Sequence, residues 1–344
     1  MERLFCLGRP IIDVTASIKA EFLSEIGVDE NLQGEISNEK MEKILGQLSK
    51  KSDYIFISAG GVESNVAINS ALLGIPSIIV GSIGDDYFHL IFKDGLGFID
   101  KLDMSLISTM LFNSAVVVVI WIIKDGGEKK RIKVLNYGVS GYLPWNSLAK
   151  SSLKSATMFF SSLFTANTPQ TELIWKSAIR IAKKFGKKII INLGGVDTIQ
   201  DNKLRSLLNF VRKYADVVFM NEQECEFLLT CYKKEAFLIF PEVEQTIITR
   251  GGKDISIFLK GEEIFIQITE EGRPAQGGQI FEIGAGDAFC AGYVFALSRG
   301  ANPKEAARFA IEISLIKIKC PESHLTKTNL ACIEERRRKY ALNE

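Results

Sequence analysis

Gly284-Ala285-Gly286-Asp287 runs directly into Ala288-Phe289-Cys290-Ala291-Gly292-Tyr293-Val294, and the fold turns on how this stretch is read. Two glycines and an alanine leave backbone N–H groups uncovered, and Phe289, Tyr293 and Leu297 recur at helical spacing up to Arg299-Gly300. The stretch reads as a glycine turn opening onto a helix N-terminus, where unpaired N–H groups and the positive end of the helix dipole attract anions. A carboxylate at Asp287 repels an anion, so it needs another task. The natural one is to take a proton from a hydroxyl that attacks phosphorus. The competing reading is an ordinary helix start, with Asp287 as a first-turn acid favoured by the dipole.

Working outward, the same grammar of buried strand, glycine or polar turn and helix recurs along the chain. A strand at 4–7 leads to a turn at 8–13 that carries Asp13, and a helix is expected over 38–50 with Asn38 as its cap. A strand at 54–57 runs into Gly60-Gly61 and, one helical turn later, Asn65. A strand at 77–80 precedes a further glycine turn at 81–87, placed at a helix start. Strands at 158–162, 188–193, 216–220 and 245–249 alternate with helices at 170–185 and 204–214. The strand at 216–220 delivers Asn221 and Glu224, and the one at 245–249 ends at Thr249 before Arg250-Gly251-Gly252. Such alternation is the signature of an α/β fold, a mainly parallel Rossmann-like sheet flanked by helices.

Strands at 113–123 and 131–135 flank the hairpin turn Asp125-Gly126-Gly127-Glu128 and point to a small accessory sheet. A ribbon is expected at 256–259 and 263–268, and a helix at 303–318, opened by Asn302-Pro303 with Glu305 three residues after the cap. The Glu334-Glu335-Arg336-Arg337-Arg338-Lys339 segment reads as a solvated helix.

Composition narrows the partners. With 42 basic and 41 acidic residues in 344, no global field favours nucleic acid or an acidic membrane. The longest apolar run, 115–123, is half the length of a membrane-spanning helix, and its valines favour a strand. Six cysteines without metal-ligand spacing fit a reduced, cytoplasmic setting with free thiols. No phosphate-loop motif, protein-kinase signature or dinucleotide fingerprint after the first strand is present.

Polar or glycine-rich groups thus arrive at separate strand ends: Asp13; Gly60-Gly61 with Asn65; Asn221 with Glu224; and 284–287. The chemistry they suit is phosphoryl transfer to a hydroxyl. In order and spacing, these segments and 249–252 resemble the ribokinase-like (PfkB) carbohydrate kinases, over about residues 4–319, and residues 7–16 are most similar to the adenosine-kinase-like branch. The resemblance implies one ribokinase-like domain with a small β-sheet lid drawn from about 14–58 and 112–139. It implies a kinase, monomeric or homodimeric, that uses ATP and Mg²⁺ on the primary hydroxyl of a sugar or ribonucleoside.

Carried over residue by residue, Asp287 is the base, and the N–H groups of Ala285, Gly286 and Asp287, after Gly284, form the anion hole. Asp13, Gly60, Gly61 and Asn65 hold the sugar; Asn221 and Glu224 organise Mg²⁺ and phosphate through water; Thr249 and Gly251 lie beside the nucleotide. No protein residue is expected to ligate the metal directly. Two positions depart from the pattern: Phe281-Glu282-Ile283 stands where the family has Asp-Thr-Thr or similar, and Arg9 where the adenosine branch has asparagine. The first departure motivates an alternative, a non-catalytic sugar- or nucleotide-binding regulator on a degenerate kinase fold.

Overall fold

The computed structural model describes residues 2–124, 129–232, 239–268 and 280–342. In chain order its first half contains β1 (Leu4–Leu7), β2 (Ile11–Lys19), β3 (Gln33–Glu35), α1 (Asn38–Lys51), β4 (Tyr54–Gly60), α2 (Val62–Leu73), β5 (Ser77–Gly84), α3 (His89–Lys93), β6 (Leu102–Met110), β7 (Val116–Ile123) and β8 (Lys129–Asn136). Then follow α4 (Ser147–Ser155), β9 (Met158–Ser162), α5 (Pro169–Lys184), β10 (Lys188–Asn192), α6 (Asp201–Tyr214), β11 (Val217–Asn221) and α7 (Glu222–Tyr232). The last third holds β12 (Gln245–Thr249), β13 (Asp254–Leu259), β14 (Glu262–Gln267), α8 (Ala285–Ser298), α9 (Pro303–Lys317) and α10 (Leu330–Lys339).

Among the described residues the large sheet has nine strands in the order β14-β13-β12-β11-β10-β9-β1-β5-β6. It is parallel from β12 to β6, and β13 and β14 add an antiparallel ribbon at one edge. Successive crossovers leave β1 toward β5 and β6 on one side and toward β9 and β10 on the other. The order therefore reverses between β1 and β9, where open α/β sheets form a crevice beyond their carboxyl ends.

Both faces of this sheet are buried, which is why its strands read as continuous apolar runs. Phe5, Leu7, Phe159, Ile189 and Ile191 pack under α4, α5, α6 and α7; Leu4, Cys6, Phe160 and Ile190 pack under α2, α8 and α9. Residues 288–296 of α8 are all buried, as expected for a helix apolar on every side.

The second sheet has the order β3-β8-β7-β2-β4. Ile12, Val14, Ala16 and Ile18 of β2, with Val118, Ile120 and Ile122 of β7, face Met41, Ile44 and Leu48 of α1. Asp13 lies on the opposite face of β2, and Thr15 and Ser17 with it.

Several expectations change here. Asp13 is not in a turn beyond β1: it sits within β2, opposite Ser58 of β4 and Val117 of β7. The strand at 54–57, inside the 14–58 segment from which the resemblance drew the small sheet, pairs antiparallel with β2 in that sheet. Local pattern separates strand from helix but does not say which sheet a strand joins. Of the turn expected at 81–87, residues 81–84 are instead the end of buried β5, where a methyl group on Gly81 would overlap Pro10 and one on Gly84 the backbone at Phe112, and the turn into α3 follows at 85–88. Ser37, not Asn38, caps α1 by accepting the Lys40 N–H. Strand β6 was not foreseen. Arg337, expected to be solvated, is buried in α10 and stacks on Phe295. The expected turn at 125–128 lies outside the described residues. Asn302 and Glu305 form the foreseen capping box of α9, and all six cysteines are unpaired.

Candidate active site

The site begins at Gly284. It adopts a left-handed conformation (φ 79°), and a side chain there would overlap the carbonyl of Ser323, so the turn needs glycine for both reasons. The Ala285 N–H turns back to the Glu282 carbonyl at 3.1 Å, while the Ala288 N–H bonds the Gly284 carbonyl at 2.9 Å. Helix geometry leaves the N–H groups of Gly286 and Asp287 without an intrahelical acceptor. Of the three amides assigned to the anion hole from the sequence, Ala285 is therefore occupied in the turn, and the other two have no acceptor within the helix.

Asp287 follows in the first turn of α8, half-buried. Its Oδ2 accepts a 2.8 Å hydrogen bond from Asn65 Nδ2 on α2. Burial pushes its carboxyl up to about 7, and the negative charges of Asp13 and Glu63 act in the same direction. The Asn65 hydrogen bond and the Lys317 ammonium act against them.

Asn65 is held from its other side. Its Oδ1 accepts from Ser323 Oγ at 3.2 Å, and Ser323 Oγ also lies 2.8 Å from the Ala59 carbonyl. Asp13 reaches this group across the small sheet. It accepts from the Gly61 N–H and competes with Asn65 and the Ala59 carbonyl for the single proton of the Ser323 hydroxyl, yet burial still raises its pKa. A methyl group on Gly60 would collide with the Asp13 carboxylate, and one on Gly61 with the Arg9 carbonyl; Gly61 also has φ 89°. The diglycine thus permits a close approach of β2 to the start of α2.

On the nucleotide-facing side assigned from the sequence, Asn221 and Glu224 cap each other at the start of α7. The Asn221 N–H donates to Glu224 Oε2 and the Glu224 N–H to Asn221 Oδ1, each at 2.8 Å. Burial lifts the Glu224 carboxyl to about 7, opposed by the Asn221 N–H, while Asp197 adds to the rise. A cavity of about 160 Å³ is lined by Asn221, Glu224, Thr249, Gly286 and Asp287 together. Gly251 does not line it: it lies in the exposed turn after β12, with φ 60°.

Four contributors were not singled out from the sequence. Asn192, at the carboxyl end of β10, lines the cavity and donates weakly to Cys290 Sγ at 3.7 Å. Its place at a strand end was a readable signal. Glu63, inside the Gly60–Asn65 motif, is buried and accepts from the Ser162 N–H, Ser162 Oγ and Thr165 Oγ1 at 2.6–2.8 Å. It ties α2 to the end of β9 across the sheet reversal. Lys317 shares a helical face with Ala306, Ala310 and Ile313, so its burial was legible in the periodicity. Ser323 lies in an irregular segment and offers no such signal.

The two departures resolve physically. Phe281 packs edge-on against Phe56 at 5.7 Å, Glu282 is exposed, and the Phe281 and Ile283 carbonyls accept the Lys317 ammonium. Arg9 is fully buried. Its guanidinium lies 5.1 Å from the Phe164 ring and 5.5 Å from that of Tyr137, and it donates to Asn167 and Thr171. Burial lowers its pKa to about 10, with Tyr137 and Glu63 opposing the fall.

Among the described residues no cluster of three or more His, Cys, Asp or Glu could hold a metal, and no helix is long and apolar enough to cross a membrane.

Comparison with known proteins identifies the fold and the family. The adenosine kinase of Sinorhizobium meliloti superposes with a TM-score of 0.77 at 17% identity, over 97% of this chain and 98% of that one. A putative ribokinase II from E. coli gives 0.73 at 18% identity, covering 98% of this chain and all of the other. The fold is thus ribokinase-like. In sequence, a ribokinase of Arabidopsis thaliana is 25% identical over 265 residues, 73% of this chain and 65% of that protein. The adenosine kinase of Saccharomyces cerevisiae is 23% identical over 315 residues, 87% and 89% of the two chains. Residues 119–328 match the pfkB family carbohydrate kinases. This chain therefore belongs to the pfkB family of carbohydrate kinases.

Proposed function

We propose that the chain transfers the γ-phosphoryl group of ATP to the primary hydroxyl of a sugar or ribonucleoside, with Asp287 as general base. The observation that carries this reading is the placement of Asp287: a carboxylate in the first turn of a helix, beside two unspent N–H groups, lining the cavity shared with Asn221, Glu224 and Thr249. A carboxyl lifted to about 7 is matched to removing a hydroxyl proton near neutral pH. Asn65 occupies Oδ2 and leaves Oδ1 for the acceptor hydroxyl.

In the transfer, the hydroxyl proton passes to Asp287 as the acceptor oxygen bonds to Pγ and the bond from Pγ to the β-phosphate oxygen breaks, releasing ADP. The Gly286 and Asp287 N–H groups face the negative charge of the transferred group. Asp13 and the Gly60-Gly61 turn bind and orient the acceptor hydroxyls, and the small sheet, acting as a lid, excludes water.

The oxygen donors of Glu224 and Asn221 fit Mg²⁺, which keeps several waters and rests on few carboxylates plus substrate phosphates. These two residues would hold it through water, and when bound it neutralises charge on the phosphates. The names of the relatives, a ribokinase, an adenosine kinase and a nucleoside kinase, fit an acceptor that is ribose or carries it.

A panel of ribose, hexoses, hexose phosphates and nucleosides in an ATP-consumption assay tests the reading. Wild type should turn over at least one acceptor, and Asp287→Asn should lose about 10²–10⁴-fold in kcat with the fold intact. Near-wild-type phosphorylation by that variant would refute the assignment. Tight sugar binding by wild type without nucleotide binding or turnover would favour a regulator.

A further inference from the structure

We infer that Lys317 is a positioning residue for phosphoryl transfer: a cation tethered to the protein that fixes the anion-hole turn from beneath. The inference rests on the kinase reading above.

The geometry is specific. Lys317 is the last residue of α9 and is fully buried, a rare location for an ammonium, and among the described residues its hydrogen-bond partners are backbone carbonyls. Its Nζ donates to the Phe281 carbonyl at 2.8 Å and to the Ile283 carbonyl, the residue immediately before Gly284. The same end of α9 grips the segment twice more. The Phe281 N–H donates to the Ile318 carbonyl at 2.8 Å, and Ser314 Oγ donates to the Ala285 carbonyl at 3.1 Å.

Residues 281–285 are therefore clamped by one helix end, and the orientation of the peptides around Gly284 is set by where the ammonium pulls two carbonyls. That orientation aims the Gly286 and Asp287 N–H groups. The ammonium also opposes the rise in pKa of both Asp287 and Asp13.

Energetics argue that the charge has a task. Burying an ammonium costs several kcal/mol before compensation, and an apolar side chain of similar volume would fill the space without that cost. A cation here favours negative charge developing at the turn, in surroundings where little water screens it. Converging carbonyls are also the coordination chemistry of potassium. With the ammonium seated on them, the turn needs no mobile monovalent ion.

Three measurements test this. First, Lys317→Met, which keeps bulk and removes charge, should fold and lose at least tenfold in kcat, with both KM values changed less than threefold; a Lys319→Met control should behave as wild type. Second, Lys317→Ala should recover part of its kcat saturably with added potassium, ammonium or methylammonium, while wild type does not respond. Third, and without any variant, wild type dialysed into tetramethylammonium buffer should keep full turnover. The inference is overturned if Lys317→Met turns over within twofold of wild type, if folded Lys317→Ala ignores added cations, or if wild type itself requires potassium. Any of these leaves the kinase reading intact. A wild type that neither binds ATP by calorimetry nor phosphorylates any acceptor removes the kinase reading, and this inference with it.

Discussion

Asp287 illustrates how one side chain acquires a working pKa from opposing influences. Burial raises it and the negative charges of Asp13 and Glu63 add to the rise, while Asn65 and Lys317 restrain it at about 7. The rising limb of kcat/KM with pH should therefore have an apparent pKa near 7. Asn65→Ala removes a hydrogen bond to the charged form, so that limb should move to higher pH by about one unit; an unmoved limb would mean that another group titrates.

The same shift has a consequence for stability. Because the folded-state pKa lies above the ordinary aspartate value of 3.8, the native state binds the extra proton between the two values, and stability falls as pH rises through that window. Asp287→Asn removes this penalty, so its Tm at pH 8 should exceed that of wild type by about 2 °C or more, with the difference vanishing below about pH 4. Thermal melts across pH measure this directly.

At the scale of elements, the start of α8 and the start of α9 make a useful contrast. Gly284 combines a left-handed backbone with contact against the Ser323 carbonyl. Gly284→Ala should cost about 1–3 kcal/mol and also abolish most turnover, because relief of the overlap displaces the amides of α8. Asn302 caps α9 through Glu305, on the exposed side of the molecule. Asn302→Ala should cost about 1 kcal/mol and leave kcat unchanged. Melts and steady-state rates on both variants separate a turn that serves chemistry from a cap that serves only its helix. Comparable rates in the two variants would mean that the Gly284 turn has no catalytic role.

For the whole molecule, the notable connection is between the two sheets. β2 follows β1 after a three-residue link, and β4 leads through Gly61 directly into α2. β2 thus carries Asp13, and β4 and α2 carry the diglycine turn and Asn65. If this sheet closes over the acceptor, hydrogen exchange at 11–19, 54–60 and 116–123 should slow when acceptor and a non-hydrolysable ATP analogue are both bound. Unchanged exchange in these strands would instead mark the sheet as a fixed scaffold.

The sequence by itself determined the α/β class, most helices and strands of the large sheet, and Asp287 at the head of its helix. These follow from short-range chemistry: periodicity, glycine at turns and a cap with its acid three residues on. It also carried signals that went unread, such as the alternation of Ile12, Val14, Ala16 and Ile18 that makes β2 a strand, and the position of Lys317 on the apolar face of α9. Only the tertiary structure decided that β2 runs between β4 and β7 with Asp13 inside it, that the glycines at 81 and 84 serve close backbone contacts, and that Ser323 joins Asn65 to Asp13. The physical reason is common to all three. Each depends on a partner remote in the chain, and a hydrogen bond between residues 258 apart leaves no periodic trace in the sequence around either one.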